Sequence, residues 1–316
     1  MIRILLLTVF ITSIIFADIK MPLKQYISTG PVTDMLISGS KLYSATNASC
    51  VDIFDLESRK IIQKIEISKI KDFMGDEVDS KIYSVDVLDN QVLLLSQAKN
   101  GFRRVHIYKD KKLELIIPYT KNLTISKVKF LNKDTILLGM LSNELISFNL
   151  NTKAYNWSIQ VSGAKFSDFA LSENKDEAIV ADESGSLKIH NMKDGKLINL
   201  LEGQNLDNVF QIDYKNGIIA TAGQDRRVVI YAYKFDSAYY QSSSFLIYSV
   251  GLSPSGKRVA YSSDENNNIT VFNTITKSVL GKFGGNKMTL SKILFLNENE
   301  FLVSSDDKTI NLYKIK

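Results

Sequence analysis

The chain has 316 residues, of which 45% are hydrophobic and 10% aromatic, which is enough for a large apolar core. Its formal net charge at pH 7 is +5, and the basic residues are interspersed with acidic ones rather than collected into runs. A nucleic-acid-binding surface, which normally shows as a cluster of Lys and Arg, is therefore not indicated.

Residues 1–17 have the pattern of a secretory signal peptide. Arg3 is the single charge, an apolar run covers residues 4–16, and Ala17 precedes Asp18. The alternative is an uncleaved membrane anchor, but a helix needs roughly 20 apolar residues to span a bilayer. The sequence thus predicts cleavage near Ala17 and a periplasmic mature protein of residues 18–316 without membrane insertion.

A four-residue strand motif recurs seven times along the remaining chain. Its copies are residues 51–54 (VDIF), 105–108 (VHIY), 145–148 (LISF), 187–190 (LKIH), 228–231 (VVIY), 269–272 (ITVF) and 310–313 (INLY). Counted from the last residue of each copy, the intervals are 54, 40, 42, 41, 41 and 41 residues. A period of about 40 to 45 residues with four strands per unit is typical of WD-type propellers. The sequence therefore predicts one all-β domain, a seven-bladed β-propeller.

The two ends of the chain complement each other. The last unit stops after its third strand, whereas residues 23–28 (LKQYIS) precede the first unit and resemble an outer strand. A propeller whose last blade is completed by the N-terminal segment has no unpaired inner edge. Ring closure by an N-terminal strand is accordingly expected.

Aspartates recur in the turn before the repeated strand, at Asp182, Asp225, Asp264, Asp306 and Asp307. In this feature the chain resembles WD-repeat proteins, in which an Asp at that turn is held by hydrogen bonds. The Gly-His and Trp-Asp pairs of that family are absent, and pairs such as Phe54-Asp55 take the second place. The resemblance thus implies the architecture, without the family's histidine network.

Residues that could perform chemistry are few. Cys50 is the single cysteine, which excludes an intramolecular disulfide, and His106 and His190 both lie within repeated strands. No Cys/His metal pattern, haem-attachment motif or phosphate-binding loop occurs. We expect both histidines and the cysteine to be structural, and the protein to be a non-enzyme without a cofactor of its own.

Four aspartates in the first strands of their units leave one enzymatic alternative open. Asp34, Asp86, Asp168 and Asp213 occupy similar places, and propellers can gather such acids around the axis. An axial acidic ring could bind a cation or supply acid–base groups. The competing interpretation is hydrogen bonding at turns and strand ends.

The interval of 54 residues contains an insertion, residues 68–80 (SKIKDFMGDEVDS). Phe73 and Met74 stand beside Gly75 among charged residues, an arrangement typical of a partner-binding loop, although a loop packed on its own blade looks similar. The turns with paired arginines are expected on the same face. The candidate partner-binding residues are Lys71, Phe73, Met74, Arg103, Arg104, Arg226 and Arg227.

The signal peptide, the degenerate repeats and the KIKDFMGD loop together resemble the L-type accessory proteins encoded with periplasmic nitrate reductase systems. This resemblance implies a monomeric, non-catalytic protein that supports maturation of the reductase or its electron supply. The molybdenum and haem cofactors would belong to the partner. Two alternatives remain open: a propeller hydrolase or dehydrogenase with an axial metal or quinone site, and a scaffold for envelope protein assembly.

Overall fold

The computed structural model describes residues 18–316, so the predicted signal peptide lies outside the described residues. Within residues 18–316 the regular structure is β-strand, apart from the 3₁₀ turns Lys99–Gly101, Tyr119–Lys121 and Tyr233–Phe235. No helix in this range is long and apolar enough to cross a membrane.

Two short strands precede the first blade, β1 (Ile19–Lys20) and β2 (Lys24–Ile27). Blade 1 consists of β3 (Val32–Ser38), β4 (Lys41–Thr46), β5 (Cys50–Asp55) and β6 (Ile61–Glu66). The insertion forms a hairpin of β7 (Ile70–Lys71) and β8 (Glu77–Val78). Blade 2 consists of β9 (Ile82–Leu88), β10 (Gln91–Gln97), β11 (Arg103–Lys109) and β12 (Lys112–Ile117).

The next three blades have four strands each. Blade 3 consists of β13 (Ile125–Asn132), β14 (Thr135–Met140), β15 (Glu144–Asn149) and β16 (Tyr155–Gln160). Blade 4 consists of β17 (Phe166–Leu171), β18 (Glu177–Asp182), β19 (Leu187–Asn191) and β20 (Leu197–Leu201). Blade 5 consists of β21 (Val209–Lys215), β22 (Ile218–Gly223), β23 (Arg227–Ala232) and β24 (Ser237–Ser242).

The last two blades take in the N-terminal strands. Blade 6 consists of β25 (Val250–Leu252), β26 (Arg258–Ser262), β27 (Ile269–Asn273) and β28 (Val279–Phe283), with β1 parallel to β28. Blade 7 consists of β29 (Leu290–Phe295), β30 (Glu300–Ser305) and β31 (Asp307–Lys314), with β2 as its outer strand. The predicted seven-bladed propeller is confirmed.

The apolar core lies between neighbouring blades rather than at one centre. The middle strands are buried at most positions because each has a sheet on both faces, as β14 (TILLGM) and β5 (CVDIFD) show. One cluster joins Leu93 and Val105 of blade 2 to Val128 and Phe130 of blade 3. Each blade is thus stabilised by its two neighbours, which is the reason for a closed ring.

The predicted closure by the N-terminal segment is confirmed. β2 pairs antiparallel with β31, from Lys24 opposite Leu312 to Ile27 opposite Thr309. Tyr26 is only 2% exposed, and its hydroxyl donates a 2.9 Å hydrogen bond to the carbonyl oxygen of Leu56 in blade 1. One strand therefore completes blade 7 and attaches it to blade 1.

The antiparallel order of the blades gives the ring two different faces. Turns between second and third strands, and connections from one blade to the next, emerge on one face, which we call the loop face. The inserted hairpin and the paired arginines belong to this face. The opposite face carries the other turns, including Tyr233–Phe235 in blade 5.

Candidate functional site on the loop face

The inserted hairpin has an ordered turn. The Asp72 carboxylate accepts hydrogen bonds from the backbone N–H groups of Met74 (2.9 Å) and Asp76 (3.0 Å). Gly75 has a φ of +92°, a conformation that L side chains rarely adopt. An aspartate and a glycine therefore fix the turn locally.

The base of the hairpin is attached to the propeller. Ile70 is buried, and the Ser49 hydroxyl donates to Asp79 at 3.0 Å while it accepts the backbone N–H of Ser80 at 2.7 Å. The Arg104 guanidinium donates to the Ser68 carbonyl oxygen. These contacts at both ends of the insertion hold it in one place on the loop face.

The tip of the hairpin carries large apolar side chains in solvent. Phe73 is 95% exposed and Met74 is 73% exposed, and Lys71 beside them is also exposed. The alternative in which Phe73 and Met74 pack on their own blade is therefore wrong. Apolar side chains in solvent give up the free energy that burial would provide. Their exposure at the tip therefore favours a contact with another molecule.

The two arginines of blade 2 serve the structure around the hairpin. Arg104 is half-buried and also donates to the Ser96 hydroxyl at 3.2 Å, and burial lowers the pKa of its guanidinium. Arg103 stacks on Tyr83, with its guanidinium carbon 4.0 Å from the ring centroid. Both were predicted as partner-binding residues, but their guanidinium groups contact residues of blade 2 and of the insertion in the same chain.

The two arginines of blade 5 differ from each other. Arg227 stacks on Tyr240 at 4.0 Å and donates to the Gln204 carbonyl oxygen at 2.8 Å. Arg226 is exposed at the turn, with a φ of +64°. Because blade 5 lies across the ring from blades 1 and 2, the structure does not bring Arg226 together with the hairpin. Only a partner that spans the loop face could contact both.

The propeller axis is lined by a mixed ring of charges rather than by the acidic ring considered above. The Lys127 ammonium lies 2.6 Å from the Asp168 carboxylate, and Lys292 lies 3.3 Å from Asp34. Lys129 lies 3.7 Å from Asp86 and 3.9 Å from Asp34. Among residues 18–316 no three His, Cys, Asp or Glu side chains form a group that could hold a metal ion.

The axial aspartates connect neighbouring blades through the backbone. Asp34 accepts the N–H of Val85 at 3.1 Å, and Asp86 accepts that of Phe130 at 2.8 Å. The same contact recurs from Asp168 to the N–H of Ile212 (3.1 Å) and from Asp213 to the N–H of Leu252 (2.8 Å). Each carboxylate thus holds the inner strand of the next blade, which agrees with the hydrogen-bonding interpretation.

The electrostatics of the axis follow from this pairing. Burial would raise the pKa of Asp34, but Lys292, Lys129 and Lys127 outweigh it and hold this pKa at about 2. Burial would lower the pKa of Lys292, but Asp34, Asp168 and Asp213 raise it above its usual range. Asp34 and Lys292 therefore stay charged and paired at neutral pH, whereas burial lowers the pKa of Lys127 even though Asp168 opposes this effect.

The axial channel opens on the loop face through a small polar cavity of about 150 Å³. Its lining includes Tyr83, Phe210, Lys127 and Asp168. Phe210 stacks on Tyr248 with ring centroids 5.4 Å apart. Tyr83 and Phe210 lie in first strands and Tyr248 just precedes one, and these half-buried rings, which the sequence did not single out, add aromatic surface beside the axis.

Both histidines and the cysteine are buried within their blades. His190 is buried, and its Nδ1 lies 2.9 Å from the Gly195 carbonyl oxygen. Burial lowers the pKa of His106 to about 4, and Arg104 adds to this effect, so the ring is neutral at pH 7. Cys50 is buried, which raises the pKa of its thiol and makes it unreactive.

One blade contains a substitute for the histidine network of WD-repeat proteins. In blade 5 the Asn205 amide donates to the Tyr231 hydroxyl at 2.9 Å, and the Thr221 hydroxyl donates to the Asn205 amide oxygen at 2.8 Å. The network connects the blade-to-blade segment to the second and third strands. An asparagine, a tyrosine and a threonine thus connect these segments by hydrogen bonds without a histidine.

No protein-family model matches this chain, and a comparison with curated proteins gives no match. The geometry of the loop face therefore carries the functional interpretation.

Proposed function

We propose that this protein is a non-catalytic propeller that binds another protein through its loop face, with the hairpin of residues 68–80 as the principal contact. The observation that carries the proposal is the tip, where Phe73 and Met74 are exposed on a turn held by Asp72. Aromatic residues and Met are enriched at the centres of protein interfaces. A turn that is already ordered loses little entropy on binding.

The environment of the hairpin supports a specific rather than a purely apolar contact. Lys71 lies next to the tip, and Asp76 and Glu77 follow it, so charges of both signs surround the apolar pair. A desolvated apolar centre with a polar rim is the usual anatomy of a transient protein interface. Arg226 across the ring is available to a partner large enough to span the face.

The cellular context of the proposal comes from the resemblance to L-type accessory proteins of periplasmic nitrate reductase systems. The partner would be a subunit of that reductase, and the propeller would support its maturation or electron supply in the periplasm. The exposed hairpin includes the KIKDFMGD residues on which the resemblance depends. Export is part of this proposal.

The test is capture of the partner from the periplasm of nitrate-grown cells with three forms of the protein. The first is the wild type, and the second carries Phe73→Ala with Met74→Ala. The third, Phe235→Ala, removes an aromatic that is 81% exposed on the opposite face and serves as the matched control. We expect the double variant to melt with the wild type because its side chains are in solvent, yet to lose capture of the reductase subunits at least tenfold.

Retention of capture by the double variant, or an equal loss in the Phe235→Ala control, would contradict the assignment of the hairpin. Capture of unrelated envelope proteins through the hairpin would retain the interface and replace the nitrate reductase context. The intact mass of the periplasmic protein checks export, since cleavage near Ala17 removes residues 1–17. A full-length mass would contradict export with cleavage.

A further inference from the structure

The turns between third and fourth strands, which we call the rim turns, lie at the outer edge of the opposite face. Six blades have a rim turn, because blade 7 takes its fourth strand from the N-terminal segment. Each of the six contains an exposed Lys or Arg: Arg59, Lys111, Lys153, Lys193, Lys234 and Lys277. The acidic residues of the rim turns are fewer: Glu57, Asp110, Asp194 and Asp236. The fold thus places at least one cation per blade around this rim, although the sequence contains no basic run.

The excess of positive charge is specific to the rim turns. The turns between second and third strands, on the loop face, contain only the cations Lys99 and Arg226. Their acidic residues outnumber these cations: Glu183, Asp225, Asp264, Glu265 and Asp306. The turns between first and second strands, and the connections between blades, carry charges of both signs. A negatively charged surface is therefore attracted to the rim of the opposite face.

In three rim turns the cation occupies a position where glycine would be less strained. Blade 4 has Gly195 at this position, with a φ of +76°. Arg59, Lys153 and Lys277 take the same position in blades 1, 3 and 6, with φ values of +59°, +55° and +61°. The left-handed conformation is unfavourable for a residue with a Cβ atom. Lys153 lies 3.5 Å from Glu114 in an exposed ion pair, so its ammonium stays accessible to solvent. The fold itself does not require a charge at this position, which favours a contact outside the chain.

Two neighbouring rim turns also carry an exposed apolar side chain at the tip. Phe235 in blade 5 is 81% exposed, and Ile275 in blade 6 is 69% exposed. In blades 1, 3 and 4 the position of Ile275 is polar, with Glu57, Asn151 and Lys193. Each apolar residue has a lysine of the rim within two residues in the sequence. The apolar tips thus interrupt a rim that is otherwise polar, and they do so in the middle of its positive charge.

Contacts between blades 5 and 6 hold these two turns next to each other. The Tyr239 hydroxyl donates to the carbonyl oxygen of Thr274 at 2.5 Å, and the Gln241 amide donates to that of Lys277 at 3.2 Å. The Lys277 ammonium lies 4.3 Å from the centroid of the Tyr239 ring, and Lys277 remains exposed. The two apolar tips and their lysines therefore form one ordered patch on the rim.

We propose that the opposite face docks on the surface of a bilayer that contains anionic phospholipids, with Phe235 and Ile275 among the headgroups and the rim cations against the phosphates. A planar surface can contact a ring of single cations and two projecting tips at the same time, whereas one extended acidic peptide would reach only part of the rim. Peripheral proteins bind bilayers by this combination of apolar contact and attraction to anionic lipids. In this orientation the loop face and its hairpin point away from the bilayer. The proposal does not depend on the function proposed above.

The test is co-sedimentation of residues 18–316, which contain the whole ring, with vesicles of phosphatidylcholine and phosphatidylglycerol in equal amounts. We expect binding to these vesicles that weakens as salt is added, and much weaker binding to phosphatidylcholine alone. Lys193→Glu with Lys234→Glu should weaken binding about tenfold or more, because both side chains are exposed on the rim and each reversal replaces attraction by repulsion. Lys99→Glu with Arg226→Glu makes the same change in net charge on the loop face and should leave binding within about twofold of the wild type.

A second set of variants tests the apolar tips. Phe235→Ser with Ile275→Ser should weaken vesicle binding about tenfold at an unchanged melting temperature, because both side chains are in solvent. Phe73→Ala with Met74→Ala, which removes the exposed apolar pair of the loop face, should bind vesicles as the wild type does. In Phe235→Trp, the added tryptophan emission should shift to the blue with anionic vesicles, because the ring leaves water on binding.

The proposal is overturned by a wild type that does not bind the anionic vesicles at about 1 mM lipid in low salt. It is equally overturned by undiminished binding of either rim variant, by an equal loss in the matched variants of the loop face, or by an unshifted emission of Phe235→Trp. A wild type that ignores vesicles but binds poly-glutamate would assign the rim to an acidic protein instead.

Discussion

The second residue of the repeated strand differs in all seven copies, and it holds polar side chains in several blades. Asp52 accepts the backbone N–H of Thr29 at 2.6 Å, Lys188 donates to Asp182 at 2.7 Å, and Asn311 donates to Asn286 at 2.8 Å. His106 stands at this position in blade 2, with Nδ1 buried and without a partner among residues 18–316. The histidine is therefore held neutral mainly by burial, and the nearby Arg104 adds to this effect.

This environment predicts an acid-sensitive stability that belongs to His106. Its pKa in the folded state is about 4, against 6.5 for an unperturbed histidine. Between these values the unfolded chain takes up a proton that the folded chain does not, so the free energy of unfolding decreases as the pH falls from 6.5 to 4. The full shift corresponds to about 3 kcal/mol.

Replacement of His106 by Ile, the residue at the same place in blade 3, should remove this dependence. We expect urea unfolding of His106→Ile between pH 7 and pH 4 to show a decrease about 3 kcal/mol smaller than in the wild type. His190, whose pKa burial also lowers, stays in both proteins and contributes equally. Parallel pH profiles of the two proteins would show that His106 is protonated in the folded state.

At the axis, the sequence pattern that places aspartates in the first strands also places lysines at the equivalent positions of two other blades. Residues 125–128 (ISKV) and 290–293 (LSKI) share the pattern apolar, hydroxyl, charged, apolar with residues 32–35 (VTDM) and 166–169 (FSDF). Aligning all seven first strands on this pattern would have placed Lys127 and Lys292 in one ring with Asp34 and Asp168. Which lysine pairs with which aspartate depends on how the seven first strands tilt around the axis. The sequence of a single strand cannot predict that tilt.

At the scale of elements, the insertion of residues 68–80 was predicted as a loop from the spacing of the repeats, and the structure shows that it is a β-hairpin with an exposed tip. The interval of 54 residues located it, but whether Phe73 and Met74 pack inward depends on the turn that Asp72 and Gly75 form. β1 was not predicted, because two residues carry no periodicity and its partner β28 is distant in sequence. Local patterns thus identified the elements that repeat and missed the one that does not.

The order of the hairpin should depend on the Asp72 carboxylate. Asp72→Ala removes the acceptor for the N–H groups of Met74 and Asp76, and each exposed bond contributes about 1 kcal/mol to local order. We expect amide exchange at Met74 and Asp76 to become at least fivefold faster, while the melting temperature stays within about 1 °C because the turn lies outside the core.

The matched control is Asp76→Ala, which changes a carboxylate of the same turn that accepts no such side-chain hydrogen bond in residues 18–316. Unchanged exchange in Asp72→Ala, or an equal acceleration in Asp76→Ala, would show that the turn is ordered by other contacts. Partner capture should weaken in Asp72→Ala, because a loosened tip must be ordered again on binding.

At the scale of the whole molecule, the hairpin lies on the loop face between blades 1 and 2, whereas the N-terminal strands lie in blades 6 and 7. Partner binding through the hairpin and closure of the ring therefore involve different parts of the molecule.

The integrity of the ring depends on the N-terminal strand, and this dependence can be tested by complementation. Deleting residues 18–28 removes β1 from the edge of β28. It also removes β2 and the Tyr26 ring, which packs edge-on against Phe54 with centroids 5.6 Å apart. Loss of one fully buried aromatic side chain costs about 3–5 kcal/mol. We expect a drop in melting temperature on the order of 10 °C, with association through the uncovered edges of β31 and β28.

A synthetic peptide of residues 18–30 should restore the melting temperature and the monomer, because it supplies the missing strand in the register of Lys24 opposite Leu312. The same peptide with Tyr26→Ala should restore neither, whereas Ile27→Ala, at a half-exposed position, should act as the wild-type peptide does. A deletion protein that is monomeric and melts with its parent would mean that blade 7 is stable with three strands, and that closure by β2 contributes little to the ring.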